Sequence, residues 1–347
     1  MASNEKTLKF VTTGRGVAGT IGILGAAGAA AFALSSPWAS AMAIRGVFTR
    51  GAQATSREME PYAPTSGIDA GLNLSYGGGR PNTHFDVFTP TGGQEPLATI
   101  VWIHGGSWLS GNKNDLRPYL RKLAGRGYTV IGVDYPLAPE HRYPATLVEL
   151  NAALGYFVDH AAELRIDPTR LILAGDSAGA QLASQLATAI TSPDYARAVK
   201  LYPRVAPEQV AATVLHCGIF DLDAVAEMPG ILNWGFRASL WAYLGVKDWE
   251  PTPEAQAMST ITHVTEHFPP TFISGGNADL LTSSQSQPMA RRLTELGVDV
   301  TELFWAKAYE RNLPHEYQFH LDFADSRDAF ETTVAFLDEK TAVPVVA

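Results

Sequence analysis

The sequence predicts an α/β protein with a mostly parallel, eight-stranded sheet that is covered by helices on both faces. Short β-rich runs alternate with helical stretches, a glycine-flanked serine joins one run to a helix, and 347 residues suffice for one large core. The predicted strands span 72–76, 84–88, 99–103, 129–133, 171–174, 212–217, 271–274 and 300–305. The predicted helices span 114–126, 145–163, 178–190, 283–297 and 322–339.

A G-x-S-x-G motif at 175–179 directly follows the apolar run at 171–174 and leads into a helix-prone stretch. In such a strand–turn–helix unit, small flanking residues let the serine adopt a strained backbone conformation with its hydroxyl above the sheet edge. The motif therefore predicts Ser177 as a candidate catalytic nucleophile. A serine hydroxyl needs a base, a carboxylate that orients the base, and amide donors for the tetrahedral oxyanion.

The amide donors are predicted after the strand at 99–103. The run at 102–108 contains two adjacent glycines, which let backbone N–H groups turn toward a substrate carbonyl. The residue after the nucleophile supplies a further N–H in this kind of site. We therefore predict an oxyanion hole formed by Gly105, Gly106 and Ala178.

The acid is expected between the serine and the histidine in chain order. Asp279 follows the apolar run at 271–274, in a loop at the carboxyl end of a strand, where catalytic groups gather in open α/β sheets. Asp221 and Asp223 also follow a strand and are the alternatives, for which a structural or substrate-side role is expected. Asp279 is the predicted acid.

The base is expected late in the chain. His315 lies in a loop between the last predicted strand and the last predicted helix, and His320 is its main competitor. His263 and His267 precede Asp279, which breaks the expected order. No cluster of potential ligands has metal-binding spacing, and no phosphate-binding glycine loop is present, so neither a metal nor a cofactor is expected.

The chain divides into three predicted parts. Residues 1–44 are predicted to be a signal peptide or membrane anchor, residues 45–70 a linker or N-terminal helix, and residues 71–347 the catalytic domain. A small helical lid insertion is expected at about 220–267. Its aromatic side chains are Trp234, Phe236, Trp241, Tyr243 and Trp249.

The stretch 17–44 carries no charge, and basic residues precede it. It is long enough to cross a bilayer, and it also fits a signal peptide with a helix breaker at Pro37 and a small-x-small cleavage site within 39–43. The third alternative is a helix packed on the catalytic domain as part of a lid. In the first two cases the protein is membrane-anchored or secreted, with its catalytic domain outside the cytoplasm.

The composition limits the classes of binding partner that we expect. A net charge of −9, without a basic stripe after the first sixty residues, excludes nucleic acid as an expected partner. Cys217 is the single cysteine, so no intramolecular disulfide can form, and its apolar surroundings in the sequence predict a buried, inert thiol.

The run at 134–145 resembles the D-Y-x-L-A-P-E-H-x-x-P-A signature of hormone-sensitive-lipase-like esterases, a group of the α/β-hydrolase superfamily. The stretches 104–106 and 175–179 resemble the oxyanion and nucleophile motifs of this group, and the resemblance spans about 72–340. It implies an α/β-hydrolase fold and hydrolysis of carboxylic esters through an acyl-enzyme on Ser177. It also implies His315 as base and then acid, with Asp279 orienting the imidazole.

One departure concerns Ser107, which stands where the group usually has a third glycine. The run at 104–115 also resembles the polysaccharide-deacetylating and feruloyl-type esterase branch, so the subfamily stays open. The expected substrates are short- to medium-chain or lipid-like esters, as for a carboxylesterase or lipase. An amidase or formamidase, a carbohydrate-ester deacetylase and a non-catalytic binding protein are the alternatives.

Overall fold

A computed structural model of the protein describes residues 36–342 and contains the predicted eight-stranded sheet. Its strands are β1 (Ile68–Ser75), β2 (His84–Pro90), β3 (Leu97–Ile103), β4 (Thr129–Val133), β5 (Ile166–Asp176), β6 (Val210–His216), β7 (Thr271–Gly275) and β8 (Val300–Phe304). They are ordered β1-β2-β4-β3-β5-β6-β7-β8. β2 pairs antiparallel with β1 and with β4, and all other pairs are parallel. The predicted fold class is confirmed.

Ten α-helices surround the sheet in the described part of the chain. They are α1 (Trp38–Met59), α2 (Arg117–Ala124), α3 (Ala145–Asp159), α4 (Ala178–Thr191), α5 (Pro193–Ala198), α6 (Leu222–Ala226), α7 (Gly230–Leu244), α8 (Pro253–Met258), α9 (Gln287–Glu295) and α10 (Ala324–Lys340). The five predicted helices correspond to α2, α3, α4, α9 and α10. The helix predicted at 283–297 is shorter because its first turn, Thr282–Ser286, is a π-helix.

Side chains of the central strands alternate between the two faces of the sheet. In β3, Val101 and Ile103 belong to the core cluster that includes side chains of α3, α4 and α9. Ile100 and Trp102 belong to the cluster that includes side chains of α2 and α10. Successive side chains of a strand point to opposite faces, so a continuous apolar run predicts a strand buried on both faces. α4 is buried along its whole length, which fixes the residue at its start.

Two helical segments cover the carboxyl edge of the sheet. α1 crosses the predicted boundary at residue 44, and Ala41 and Ile44 are buried in the core. α6, α7 and α8 lie within the predicted insertion at 220–267, between β6 and β7, and α1 packs against α7. The division of the chain into three parts itself stays a prediction.

Most of the predicted signal peptide or anchor at 1–44 lies outside the described residues, which begin at 36. Within residues 36–342, none of the helices combines the length and the apolar content needed to cross a membrane.

Candidate active site

Ser177 stands at the turn between β5 and α4, as predicted. Its backbone has φ +51° and ψ −120°, a region that side chains rarely adopt. The flanking glycines make this turn possible, because a Cβ on Gly179 would lie 2.0 Å from the carbonyl oxygen of Ile103 and one on Gly175 would lie 2.5 Å from the carbonyl carbon of Gly179. The Ser177 N–H donates to the carbonyl of His216 on the neighbouring strand, at 2.9 Å. The hydroxyl is thereby held at the carboxyl edge of the sheet.

The structure brings Ser177, His315 and Asp279 together in a hydrogen-bonded chain. Ser177 Oγ lies 3.0 Å from His315 Nε2, and His315 Nδ1 lies 2.7 Å from Asp279 Oδ2. Asp279 follows β7, and His315 lies between β8 and α10, so all three groups come from loops at the same edge of the sheet. Nδ1 donates to the carboxylate, which leaves Nε2 free to accept the serine proton.

Burial and two neighbouring groups determine the pKa of the His315 ring. Burial lowers the pKa of His315, but the Cys217 sulfur and the Asp279 carboxylate raise it, and the net result is a pKa well above the ordinary value. Burial also raises the pKa of the Cys217 thiol. The Asp279 carboxylate, bound to Nδ1, stabilises the imidazolium that forms when the serine gives up its proton.

The competing residues serve other purposes. His320 points its Nδ1 at Glu58 of α1, at 3.1 Å from both carboxylate oxygens. Asp221 caps α6 by accepting from the N–H groups of Asp223 and Ala224. His263 contacts a backbone carbonyl with its Nε2. None of these groups contacts Ser177 within the described structure.

The predicted oxyanion hole needs one correction. The Gly105 N–H donates to Asp176 Oδ2 at 2.8 Å, so it is already engaged. In residues 36–342, the N–H groups of Gly106 and Ser107 have no backbone or side-chain acceptor. The remaining prediction, Gly106 and Ala178, is kept, and Ser107 takes the place of Gly105. Sequence reasoning missed this shift because only the folded structure places the Asp176 carboxylate under Gly105.

Gly106 and Ser107 both adopt left-handed backbone conformations, with φ of +115° and +54°. A Cβ on Gly106 would lie 2.3 Å from the Ser110 carbonyl oxygen, so glycine is required there. Ser107 tolerates its conformation at some cost in strain. Both residues line the cavity that also contains Ser177.

Glu316 is a second residue that sequence reasoning missed. Its Oε1 lies 3.8 Å from His315 Nε2, and its carboxylate approaches that of Asp176 above Gly105. Burial first, and then Glu316, raise the pKa of Asp176 well above its usual value. In the sequence, the one available signal was that Glu316 directly follows His315. The left-handed backbone conformation of Glu316, with φ +59°, decides where its side chain points.

Residues of the signature at 134–145 contact Lys113, which follows β3 in the chain, and Arg45 of α1. Asp134 accepts the Lys113 N–H at 2.8 Å and lies 3.3 Å from Nζ of this buried lysine. Glu140 binds the Arg45 guanidinium of α1 with both oxygens, at 2.8 and 2.6 Å, and Arg45 Nε donates to the Leu109 carbonyl. The signature thus fastens α1 to the loop that contains Leu109.

A cavity of about 600 Å³ opens above Ser177. Its wall combines the catalytic loops with α1 and α7, so the predicted insertion contributes to it; a lid function of the insertion stays a prediction. No lysine or arginine belongs to the lining in the described structure. Its apolar side chains include Val47, Phe48, Leu232, Phe236 and Leu280.

Fold and site together define an α/β-hydrolase with a Ser–His–Asp arrangement, and the resemblance to the hormone-sensitive-lipase-like esterases is confirmed. Residues 85–293 match the BD-FAE family, and the chain belongs to this family. The chain is 34% identical over 157 residues to carboxylesterase NlhH of Mycobacterium tuberculosis, covering 42% of this chain and 49% of that protein. It is 32% identical over 211 residues to an acetyl esterase of Salmonella paratyphi B, covering 58% and 62%. The chain thus spans about half to two thirds of the length of these relatives.

Solved esterase structures share the fold. Inhibited esterase B from Lactobacillus rhamnosis superposes with a TM-score of 0.74 at 19% identity, covering 87% of this chain and 97% of that one. A bacterial heroin esterase superposes with a TM-score of 0.66 at 24% identity, covering 85% and 92%.

Proposed function

We propose that the protein is a serine carboxylesterase that hydrolyses short- to medium-chain carboxylic esters through an acyl-enzyme on Ser177. The hydrogen-bonded chain from Ser177 through His315 to Asp279 is the observation that carries this proposal. The names of the two curated relatives, a carboxylesterase and an acetyl esterase, support it.

Acylation begins when Ser177 Oγ attacks the ester carbonyl carbon and its proton passes to His315 Nε2. The carbonyl oxygen becomes an oxyanion, which accepts hydrogen bonds from the N–H groups of Gly106, Ser107 and Ala178. Each such donor contributes about 10²- to 10³-fold in rate in related sites. His315 then gives the proton to the leaving alcohol as the C–O bond breaks, and the acyl group stays on Ser177.

Deacylation repeats these steps with water. The His315 side chain is 36% exposed, so water can reach Nε2 after the alcohol leaves. Nε2 takes a proton from water as the hydroxide attacks the acyl carbon, and the same amides hold the second oxyanion. The proton returns to Ser177 Oγ when the carboxylic acid departs.

The cavity favours neutral acyl groups. Its apolar side chains suit a hydrocarbon chain, and its volume is typical of small-ligand sites. Asp115 and Glu316 add carboxyl groups to the wall, which lacks a lysine or arginine that could bind an anionic substrate. Esters that carry a carboxylate near the scissile bond should therefore react slowly.

The test is hydrolysis of p-nitrophenyl esters from acetate to palmitate by the full chain. Ser177→Ala should lower kcat by about 10⁴-fold or more, because the nucleophile is lost. Ser66→Ala, at an exposed bend outside the cavity lining, is the matched control and should retain full activity. Equal turnover in the wild type and the Ser177→Ala variant would contradict the proposal.

We also propose that the catalytic domain lies outside the cytoplasm, either secreted or anchored to the membrane by the stretch 17–44. The charge-free composition of that stretch and the basic residues before it support this. The mass of the mature protein from an exporting host separates the two cases, because cleavage within 39–43 removes the stretch and anchoring retains it. Recovery of the uncleaved protein from the cytoplasm would contradict both.

A further inference from the structure

An apolar rim surrounds the mouth of the active-site cavity on α1 and α7. We define this rim by six exposed side chains: Met42, Val47, Phe48, Ile231, Leu232 and Trp234. Ile231 is 76% exposed and Val47 is 66% exposed, so the rim faces solvent rather than the core. Contiguous apolar side chains of this kind on a soluble domain mark an interaction surface.

The rim is continuous with the cavity. Five of its side chains line an apolar groove between α1 and α7, and Val47, Phe48 and Leu232 also line the cavity above Ser177. A molecule that lies on the rim is therefore next to the reacting serine. An ester that leaves an apolar phase at this surface can enter the cavity without crossing water.

The charges on the two rim helices are mostly positive. α1 carries Arg45, Arg50 and Arg57 before its single acidic side chain, Glu58. α7 has Arg237 as its single charged residue. Arg45 and Arg237 are paired with Glu140 and Glu250, which leaves Arg50 as the positive charge beside Val47 and Phe48 that no carboxylate contacts in the described structure. Such a surface is suited to a layer with anionic headgroups, and tryptophan is enriched at such interfaces.

From these observations we infer that the rim docks on a lipid bilayer surface with anionic headgroups and presents the cavity mouth to it. The inference rests on the proposed function, whose substrates would then include membrane-dissolved esters. The part of the charge-free stretch that precedes α1, residues 17–37, leads directly into the helix that carries Met42, Val47 and Phe48, so a bilayer that held this part would lie near the rim. Rim side chains enter the interface as those of an amphipathic surface helix do.

The experiment measures docking without hydrolysis. The full chain carrying Ser177→Ala is added to phosphatidylcholine vesicles that contain phosphatidylglycerol and have acyl chains brominated near the headgroup. The signal of Trp234 is the difference between this protein and the same protein with Trp234→Phe. Since the probe protein is catalytically inactive, failure of docking and failure of the proposed esterase activity are read separately.

We expect brominated lipid to quench Trp234. Ile231→Ser combined with Leu232→Ser should lower this quenching severalfold, because two apolar side chains no longer enter the interface. The matched control, Val148→Ser with Tyr202→Ser, removes exposed apolar side chains elsewhere and should leave quenching unchanged. Vesicles without phosphatidylglycerol should quench less.

Two results would overturn the inference. In one, the protein floats with the vesicles but Trp234 is not quenched, which places the bilayer elsewhere on the chain. In the other, sedimentation without lipid shows a dimer that the Ile231→Ser, Leu232→Ser variant dissociates, which assigns the rim to a second copy of the chain.

Discussion

The catalytic loops and the helices above them differ in how tightly the fold constrains them. Ser177 is fixed by a fully buried helix, a backbone hydrogen bond to β6 and two glycines that admit no side chain. α1 and α7, in contrast, expose apolar side chains and are joined to the core by a few anchors, among them Arg45 with Glu140. The chemistry is thus built into the sheet edge, whereas access to it depends on helices that are held from one side.

The largest expected effect is on kcat, and it distinguishes His315 of the catalytic loops from His320, which contacts α1. His315→Ala should lower kcat by about 10⁴-fold or more, because the serine loses its base. His320→Ala should leave kcat near that of the wild type, because His320 contacts Glu58 of α1 and not Ser177. Steady-state kinetics on one soluble ester measures both variants. A larger loss in His320→Ala would mean that the base assignment is wrong.

The pH dependence of kcat/KM tests the electrostatics of the catalytic loops. His315 must be neutral to accept the serine proton, so kcat/KM should fall about tenfold per pH unit below its pKa. Because that pKa is raised, the midpoint should lie above the ordinary value of 6.5. Asp279→Asn removes a negative charge beside the ring and should move the midpoint to lower pH. An unchanged midpoint in Asp279→Asn would contradict this electrostatic role.

The next prediction concerns the anchoring of α1. Ile44→Ala should lower the free energy of unfolding by about 2 kcal/mol, because it leaves a cavity in the core. Val47→Ala, one turn further along the same helix, should change it by less than about 0.5 kcal/mol, because Val47 is exposed. Urea unfolding of the two variants measures this contrast. Equal effects would mean that α1 is not packed on the core as described.

The smallest effect is expected at Ser107. Ser107→Gly should raise the free energy of unfolding by up to about 1 kcal/mol, because glycine adopts a φ of +54° without strain. Activity should persist, since the donor is a backbone N–H. Gly106→Ala is the contrasting variant and should abolish activity, because its Cβ collides with the Ser110 carbonyl. Loss of activity in Ser107→Gly would point to a role for the hydroxyl.

The sequence predicts the sheet and the three members of the hydrogen-bonded chain because both depend on local patterns. Apolar runs define the strands, and chain order together with strand ends selects Ser177, Asp279 and His315. The prediction of Gly105 as an oxyanion donor fails because its N–H donates to a carboxylate 71 positions away. The role of Glu316 and the packing of α1 against the core likewise depend on more than local patterns. A left-handed backbone conformation directs the Glu316 side chain, and contacts between residues distant in sequence hold α1 in place.

The most direct test of the central claim is a fluorophosphonate probe followed by mass spectrometry of the intact and digested protein. We predict one covalent adduct on the full chain, mapped to Ser177, and no adduct on the Ser177→Ala variant. Labelling at another residue, or equal labelling of both proteins, would contradict the assignment of Ser177 as the nucleophile.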